Sequence, residues 1–247
     1  MDELNSIPTY KSIYLRSHLE NWPVKYELVF QELGSPHWFF ILSATMARPG
    51  SLREKEFLYI HNFIKKHNLV CGYEMATGFG ISALAAGLAM KETGGKLITV
   101  DAYIEEHCQD LWEYKEPVLY TESLGYTSVN HLMKEYSLQD VIFPKIGWSP
   151  RDIPQIVEEH IDVKNGEMID YVFIDGLHME KCVIDDLEVV YPYINKNKFA
   201  IFLHDVDPNW KNLHNYLKAR YGKSFSICHG CEWWNDGFNL SILTPLE

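Results

Sequence analysis

Two short apolar runs in the second half of the chain each end in a carboxylate and a histidine. The first, Tyr171-Val172-Phe173-Ile174, gives way to Asp175, Gly176 and then His178. The second, Phe199-Ala200-Ile201-Phe202-Leu203, gives way to His204 and Asp205. Paired carboxylates are the oxygen ligands that Mg²⁺ and similar hard cations take, with water and substrate oxygens completing the shell. A histidine beside them titrates near neutrality and can accept a proton from a substrate hydroxyl. The pattern therefore reads as a reaction centre, with Asp175 and Asp205 as metal ligands and His178 as general base. Plainer readings stay open on sequence alone: Asp175 as a cofactor contact or helix cap, and His204-Asp205 as a structural pair.

A second constellation lies upstream. In Tyr73-Glu74-Met75-Ala76-Thr77-Gly78-Phe79-Gly80-Ile81-Ser82, glycines sit at a turn between an apolar run and an Ala/Leu-rich stretch. Such a turn lets a ligand approach the backbone and the N–H groups that open the next helix. About 20 residues on, a second apolar run ends at Val100-Asp101, where a carboxylate is placed to grip ribose hydroxyls. Together these imply an adenosine-containing cofactor. The dinucleotide fingerprint would put a third glycine where Ala83 stands, and Glu74 suits a cationic ligand tail better than a pyrophosphate. Both points favour S-adenosylmethionine, with its ammonium and sulfonium, over NAD.

These residues need a scaffold that brings strand ends together. From residue 70 onward, short apolar runs alternate with amphipathic stretches, the rhythm of a parallel sheet covered by helices. Strands are expected at 70–74, 96–100, 141–146, 170–174, 199–203, 225–228 and 240–243, and helices at 81–90, 179–191 and 210–221. In a doubly wound sheet the first, fourth and fifth strands are neighbours, so Asp175, His178, His204 and Asp205 share one crevice. Ser51 to Glu54 resembles a capping box, followed by an apolar stripe of Phe57, Ile60, Phe63 and Ile64. The aromatic-rich residues 1–50 read as a helical cap, either a lid over the pocket or an oligomer contact. Residues 51–247 form the main domain. The segment 102–140 is longer than a simple crossover requires, and such extra length beyond a strand end is where open sheets build substrate pockets.

The four stretches from Glu74 to Ser82, Val100-Asp101, Phe173 to His178 with Asp186-Leu187, and Phe202 to Val206 resemble class I S-adenosylmethionine-dependent methyltransferases. Within that class they resemble methyltransferase family 24, a small-molecule O-methyltransferase-like branch, over residues 52–245. The resemblance implies a Rossmann-like doubly wound α/β sheet of seven strands, the last pair antiparallel. It implies cofactor contacts from Glu74, Ala76, Gly78, Gly80, Ser82, Asp101, Trp148, Ser149 and Asp175, metal ligation by Asp175 and Asp205, and His178 as base. Two positions depart from the family pattern: Ala76 replaces the first glycine of the turn, and Asn195-Lys196-Asn197-Lys198 replaces a Pro-Gly-Gly turn. The amide that follows the second acid in catechol-type relatives is Val206 here, leaving Asp207, His204 or a metal-free site as alternatives.

Composition bounds the rest. The 247 residues carry a net charge of −12 and 47% hydrophobic content. No Lys/Arg-rich run offers the basic surface that nucleic-acid binding needs. No signal-like or membrane-length apolar stretch occurs, and five scattered cysteines suggest reduced thiols. The lone Cys228-His229-Gly230-Cys231 reads as thiols near a strand end. A cytoplasmic enzyme acting on a small hydroxylated molecule, sugar or polyketide-like, is the leading expectation, with a homodimer suggested by the aromatic N-terminal segment. An NAD(P)-linked oxidoreductase and a non-catalytic cofactor-binding protein are the competing readings.

Overall fold

The computed structural model describes residues 12–16, 27–31, 52, 54–78, 80–102, 124–228 and 240–246. Two of these segments fall in the region expected to be helical. Strands β1 (Ser12–Arg16) and β2 (Glu27–Gln31) pair antiparallel, Ser12 opposite Gln31. Each centres on three β-branched, aromatic or aliphatic residues, Ile13-Tyr14-Leu15 and Leu28-Val29-Phe30, flanked by polar ones and suited to a pleated pair. The remainder of the proposed cap lies outside the described residues, as do residues 103–123 and three of the four residues of the Cys-x-x-Cys segment. Cys228 is buried, and Cys71 and Cys182 carry free thiols.

The main unit begins with helix α1 (Glu54–His67) and then alternates. Strand β3 (Cys71–Met75) leads to α2 (Ile81–Thr93), β4 (Lys96–Asp101) to α3 (Leu124–Glu135), and β5 (Ile142–Ile146) to α4 (Ile153–His160). Strand β6 (Tyr171–Ile174) leads to α5 (Glu180–Val190), and β7 (Ala200–Leu203) to α6 (Lys211–Tyr221). Strands β8 (Ser226–Ile227) and β9 (Ser241–Leu243) close the unit. The sheet order is β5-β4-β3-β6-β7-β9-β8. Five strands run parallel, and β9 enters antiparallel between β7 and β8.

Period-2 alternation explains the layering, because successive side chains leave opposite faces of a strand. Tyr171, Phe173, Ala200 and Phe202 join the apolar layer under α1 and α2. Val172, Ile174, Ile201 and Leu203 join the layer under α4, α5 and α6. The stripe expected on α1 is buried at Phe57, Ile60 and Ile64, and Phe63 packs edge-on against Phe202 with ring centroids 5.5 Å apart. Helix α2 is buried almost all round, and at Gly87 a Cβ would lie 2.5 Å from Ile142 Cδ1. This close seating fixes the helix whose N-terminus faces the glycine turn. Among the described residues no helix is long and apolar enough to cross a membrane.

Candidate active site

The crossover point between β3 and β6 places the ends of β3, β4, β6 and β7 side by side. Backbone hydrogen bonds extend the ladder past the strands themselves. Asp175 N–H donates to Met75 O at 3.2 Å, His204 N–H to Ile174 O at 3.0 Å, and Ala76 N–H to Val100 O at 2.8 Å. The side chains that follow each strand therefore emerge in register, as the sequence predicts.

On the cofactor side, the chain turns sharply after β3. Ala76, Gly78 and Gly80 all have positive φ, at 67°, 51° and 86°. Ala76 thus holds a left-handed conformation in which a Cβ costs about 1 kcal/mol. Gly78 N–H donates to Asp101 Oδ2 at 2.8 Å, tying the turn to the end of β4. Glu74 is fully buried, and its Oε1 accepts from Ser82 Oγ at 2.8 Å while Oε2 has no partner. A buried polar atom without a partner calls for an explanation. Burial pushes the Glu74 carboxyl up to about 8, against the pull of its bond to Ser82.

That shift sets the sign of a pH dependence. Glu74 loses its proton near its ordinary 4.5 in the unfolded chain but only near 8 when folded. Folding then takes up a proton between these values, so stability of the cofactor-free protein declines as pH rises through that window. Urea midpoints from pH 5 to 8.5 are expected to fall for the native sequence and to flatten for Glu74→Gln.

A cavity of about 270 Å³ opens beside the turn, lined by Met75, Ala76, Asp101, Trp148, Ser149 and Gly176 and walled by α5. Of the predicted cofactor residues, Ala76, Asp101, Trp148 and Ser149 line it, whereas Glu74 and Ser82 lie beneath the turn. Helix α5 contributes Cys182, Asp185 and Asp186, to which the sequence reading gave no role. Ser149 Oγ donates to Asp186 Oδ1, and burial raises the Asp186 carboxyl to about 6 despite that bond. A Cβ at Gly176 would stand 3.3 Å from Asp186 Oδ2, so a larger residue here would push that carboxylate by a few tenths of an ångström. Among the described residues, three carboxylates (Asp101, Asp185 and Asp186) and no Lys or Arg line this cavity.

Beyond Gly176 lies the acid–histidine cluster. His178 spans the two acids, with Nε2 3.5 Å from Asp175 Oδ1 and Nδ1 3.5 Å from Asp205 Oδ2. His204 also meets both acids, with Nδ1 3.1 Å from Asp175 Oδ1 and 3.6 Å from Asp205 Oδ2. The two imidazoles differ in access: the His178 side chain is 42% exposed and that of His204 only 5%. Asp205 sits at φ 53°, a left-handed conformation that Asp tolerates better than most residues.

Glu56 of α1, which the sequence reading did not single out, reaches His204 from the other side, Oε2 lying 3.4 Å from Nε2. It occupies the i, i+4, i+8 row with Ile60 and Ile64, and a carboxylate in an otherwise apolar row was the available signal. Burial would lower the His204 pKa, but Asp175 and then Glu56 outweigh it and hold it well above the usual histidine value. Burial raises the Asp205 carboxyl, opposed chiefly by His204. One oxygen each from Asp175 and Asp205 and one nitrogen of His204 lie within 4.8 Å of one another, close enough to share a cation. Asp207 is absent from that group and instead accepts from Asn209 N–H at 2.8 Å.

Comparison with known proteins gives the same fold. An O-methyltransferase from Bacillus cereus, solved with S-adenosylhomocysteine, is 13% identical with a TM-score of 0.57, covering 81% of this chain and 84% of that one. The O-methyltransferase TomG from Streptomyces achromogenes, solved with S-adenosylmethionine, is 12% identical with a TM-score of 0.57, covering 81% and 83%. A curated relative, the uncharacterized protein R132 of Acanthamoeba polyphaga mimivirus, is 33% identical over 84 residues, spanning 34% of this chain and 30% of that protein. The family model described as a methyltransferase domain matches residues 74–206, from the buried acid of β3 to the residue after Asp205. With that match covering more than half its length and the strand order of its sheet agreeing, the chain belongs to the class I S-adenosylmethionine-dependent methyltransferase family.

Proposed function

We propose that the protein is an S-adenosylmethionine-dependent O-methyltransferase that uses a divalent cation to act on a small hydroxylated metabolite, sugar or polyketide-like. One observation carries the reading: Asp175, His178, His204 and Asp205 meet within 3.6 Å neighbour distances next to the cavity lined by Asp101 and Trp148. The cavity's charge supports the cofactor. Its carboxylates attract a cationic sulfonium and ammonium and repel the pyrophosphate of NAD. The buried Glu74 carboxyl, kept protonated by burial in the cofactor-free protein, is the group that would ionise against a cationic ammonium at the turn.

When bound, S-adenosylmethionine supplies an electrophilic methyl group, and a divalent cation supplies charge that acidifies and orients a hydroxyl. The chain's own groups do the rest. Asp101 accepts from ribose hydroxyls, the Trp148 ring and Ser149 border the adenine, and Glu74 opposes the ammonium. Asp175 and Asp205 hold the cation. His178, the accessible histidine, takes the hydroxyl proton on the solvent side. Alignment of acceptor oxygen, methyl carbon and sulfur in a site sheltered from water supplies much of the remaining rate.

Calorimetric titration with S-adenosylhomocysteine and, separately, with NAD tests the cofactor. Micromolar binding of the former and at least tenfold weaker binding of the latter are expected. Equal affinities would end the proposal.

A further inference from the structure

The acid–histidine cluster contains two histidines, and the structure gives them different work. We infer that His204 is an inner ligand of the cation, held by Glu56 as its outer carboxylate, so that the site selects an imidazole-accepting metal such as Mn²⁺, Fe²⁺ or Co²⁺ over Mg²⁺. The inference rests on the metal-assisted reading above and specifies its ion.

The donor spacing supports it. Donor atoms about 2.1 Å from a common centre stand about 3 Å apart when adjacent in an octahedral shell. His204 Nδ1 lies 3.1 Å from Asp175 Oδ1 and 3.6 Å from Asp205 Oδ2, the spacing of neighbouring ligands, and all three donors lie within 4.8 Å of one another. Orientation supports it as well. Glu56 Oε2, 3.4 Å from Nε2, accepts the proton carried there and leaves the Nδ1 lone pair aimed between the two aspartates. A carboxylate fixing the far nitrogen of a ligating imidazole is the usual outer-sphere arrangement of metal-bound histidine.

Access separates the two rings. Glu56 is fully buried and the His204 side chain is 5% exposed, so neither is placed to exchange protons with a substrate. His178, 42% exposed, is. Mg²⁺ takes oxygen ligands and retains water, whereas imidazole nitrogen suits later first-row ions. One imidazole and two carboxylates leave three positions for water and substrate oxygens. Glu56 lies upstream of the matched residues 74–206, which makes this outer sphere a property of α1.

The test uses chelator-treated full-length protein, titrated with Co²⁺ and followed by visible absorbance, with Mg²⁺ as competitor. Mn²⁺-loaded protein is examined by pulsed electron paramagnetic resonance for ¹⁴N coupling. Expected results are Co²⁺ binding more than tenfold tighter than Mg²⁺ and a single-imidazole ¹⁴N signal that His204→Gln removes and His178→Gln leaves. Glu56→Gln is expected to weaken Co²⁺ binding about 10–100-fold and shift its absorbance. Unchanged S-adenosylhomocysteine affinity in each variant shows that the fold is intact. If Mg²⁺ binds within tenfold of Co²⁺, or the ¹⁴N signal is missing or survives His204→Gln, the inference falls while the metal-assisted reading stands. If no divalent ion binds the native protein, both fall.

Discussion

Asp175→Asn is expected to lower turnover about 10³-fold while leaving S-adenosylhomocysteine affinity within tenfold of the native protein. The size follows from position. Asp175 meets both histidines, at 3.1 Å from His204 and 3.5 Å from His178. It therefore orients the proposed base and helps to hold the proposed cation. Removing its charge disturbs both at once, and groups that act as a unit lose most of their effect when one is taken. Asparagine keeps a polar amide beside His204 Nδ1, able to donate its N–H to the ring lone pair, so the buried ring is not left wholly unpaired, the situation that makes severed ion pairs costly. The cofactor cavity is lined by Gly176 and Leu177 rather than by Asp175 itself, which is why binding should survive. Turnover within tenfold of the native rate would remove Asp175 from the chemistry.

His178→Ala is expected to lower kcat about 10²–10⁴-fold, the range for loss of a general base, with unchanged cofactor and metal binding. The side chain is 42% exposed and lies outside both apolar layers, so stability should change little. Added imidazole should restore part of the lost rate, which a purely structural role would not allow. A kcat within threefold of native would place the base elsewhere.

Legibility in the sequence followed how local each feature is. The strands that carry or lead to Glu74, Asp101, Asp175 and His204 were readable because apolar runs and the polar residues that stop them are contiguous. Their convergence followed from topology, since in a doubly wound sheet the order β3, β6, β7 is nearly forced by right-handed crossovers. Contacts between distant segments were not readable. Glu56 and His204 are 148 positions apart, and Ser149 and Asp186 are 37 apart. No spacing rule links such pairs; only the packing of α1 and α5 on the sheet brings them together. The β1–β2 pair was missed for another reason: aromatic richness was read as a helical surface, whereas short runs of strand formers favour pairing.

The insertion of β9 between β7 and β8 bears on how the molecule is made. Ribosomal synthesis delivers β7 some forty residues before its outer partner, since Ile201–Leu203 pairs with Ser241–Leu243. Until then the strand leading to His204 and Asp205 presents an open edge, the kind that recruits foreign strands. The nascent chain thus carries its candidate site on an unfinished border until residues 241–243 arrive to pair with β7.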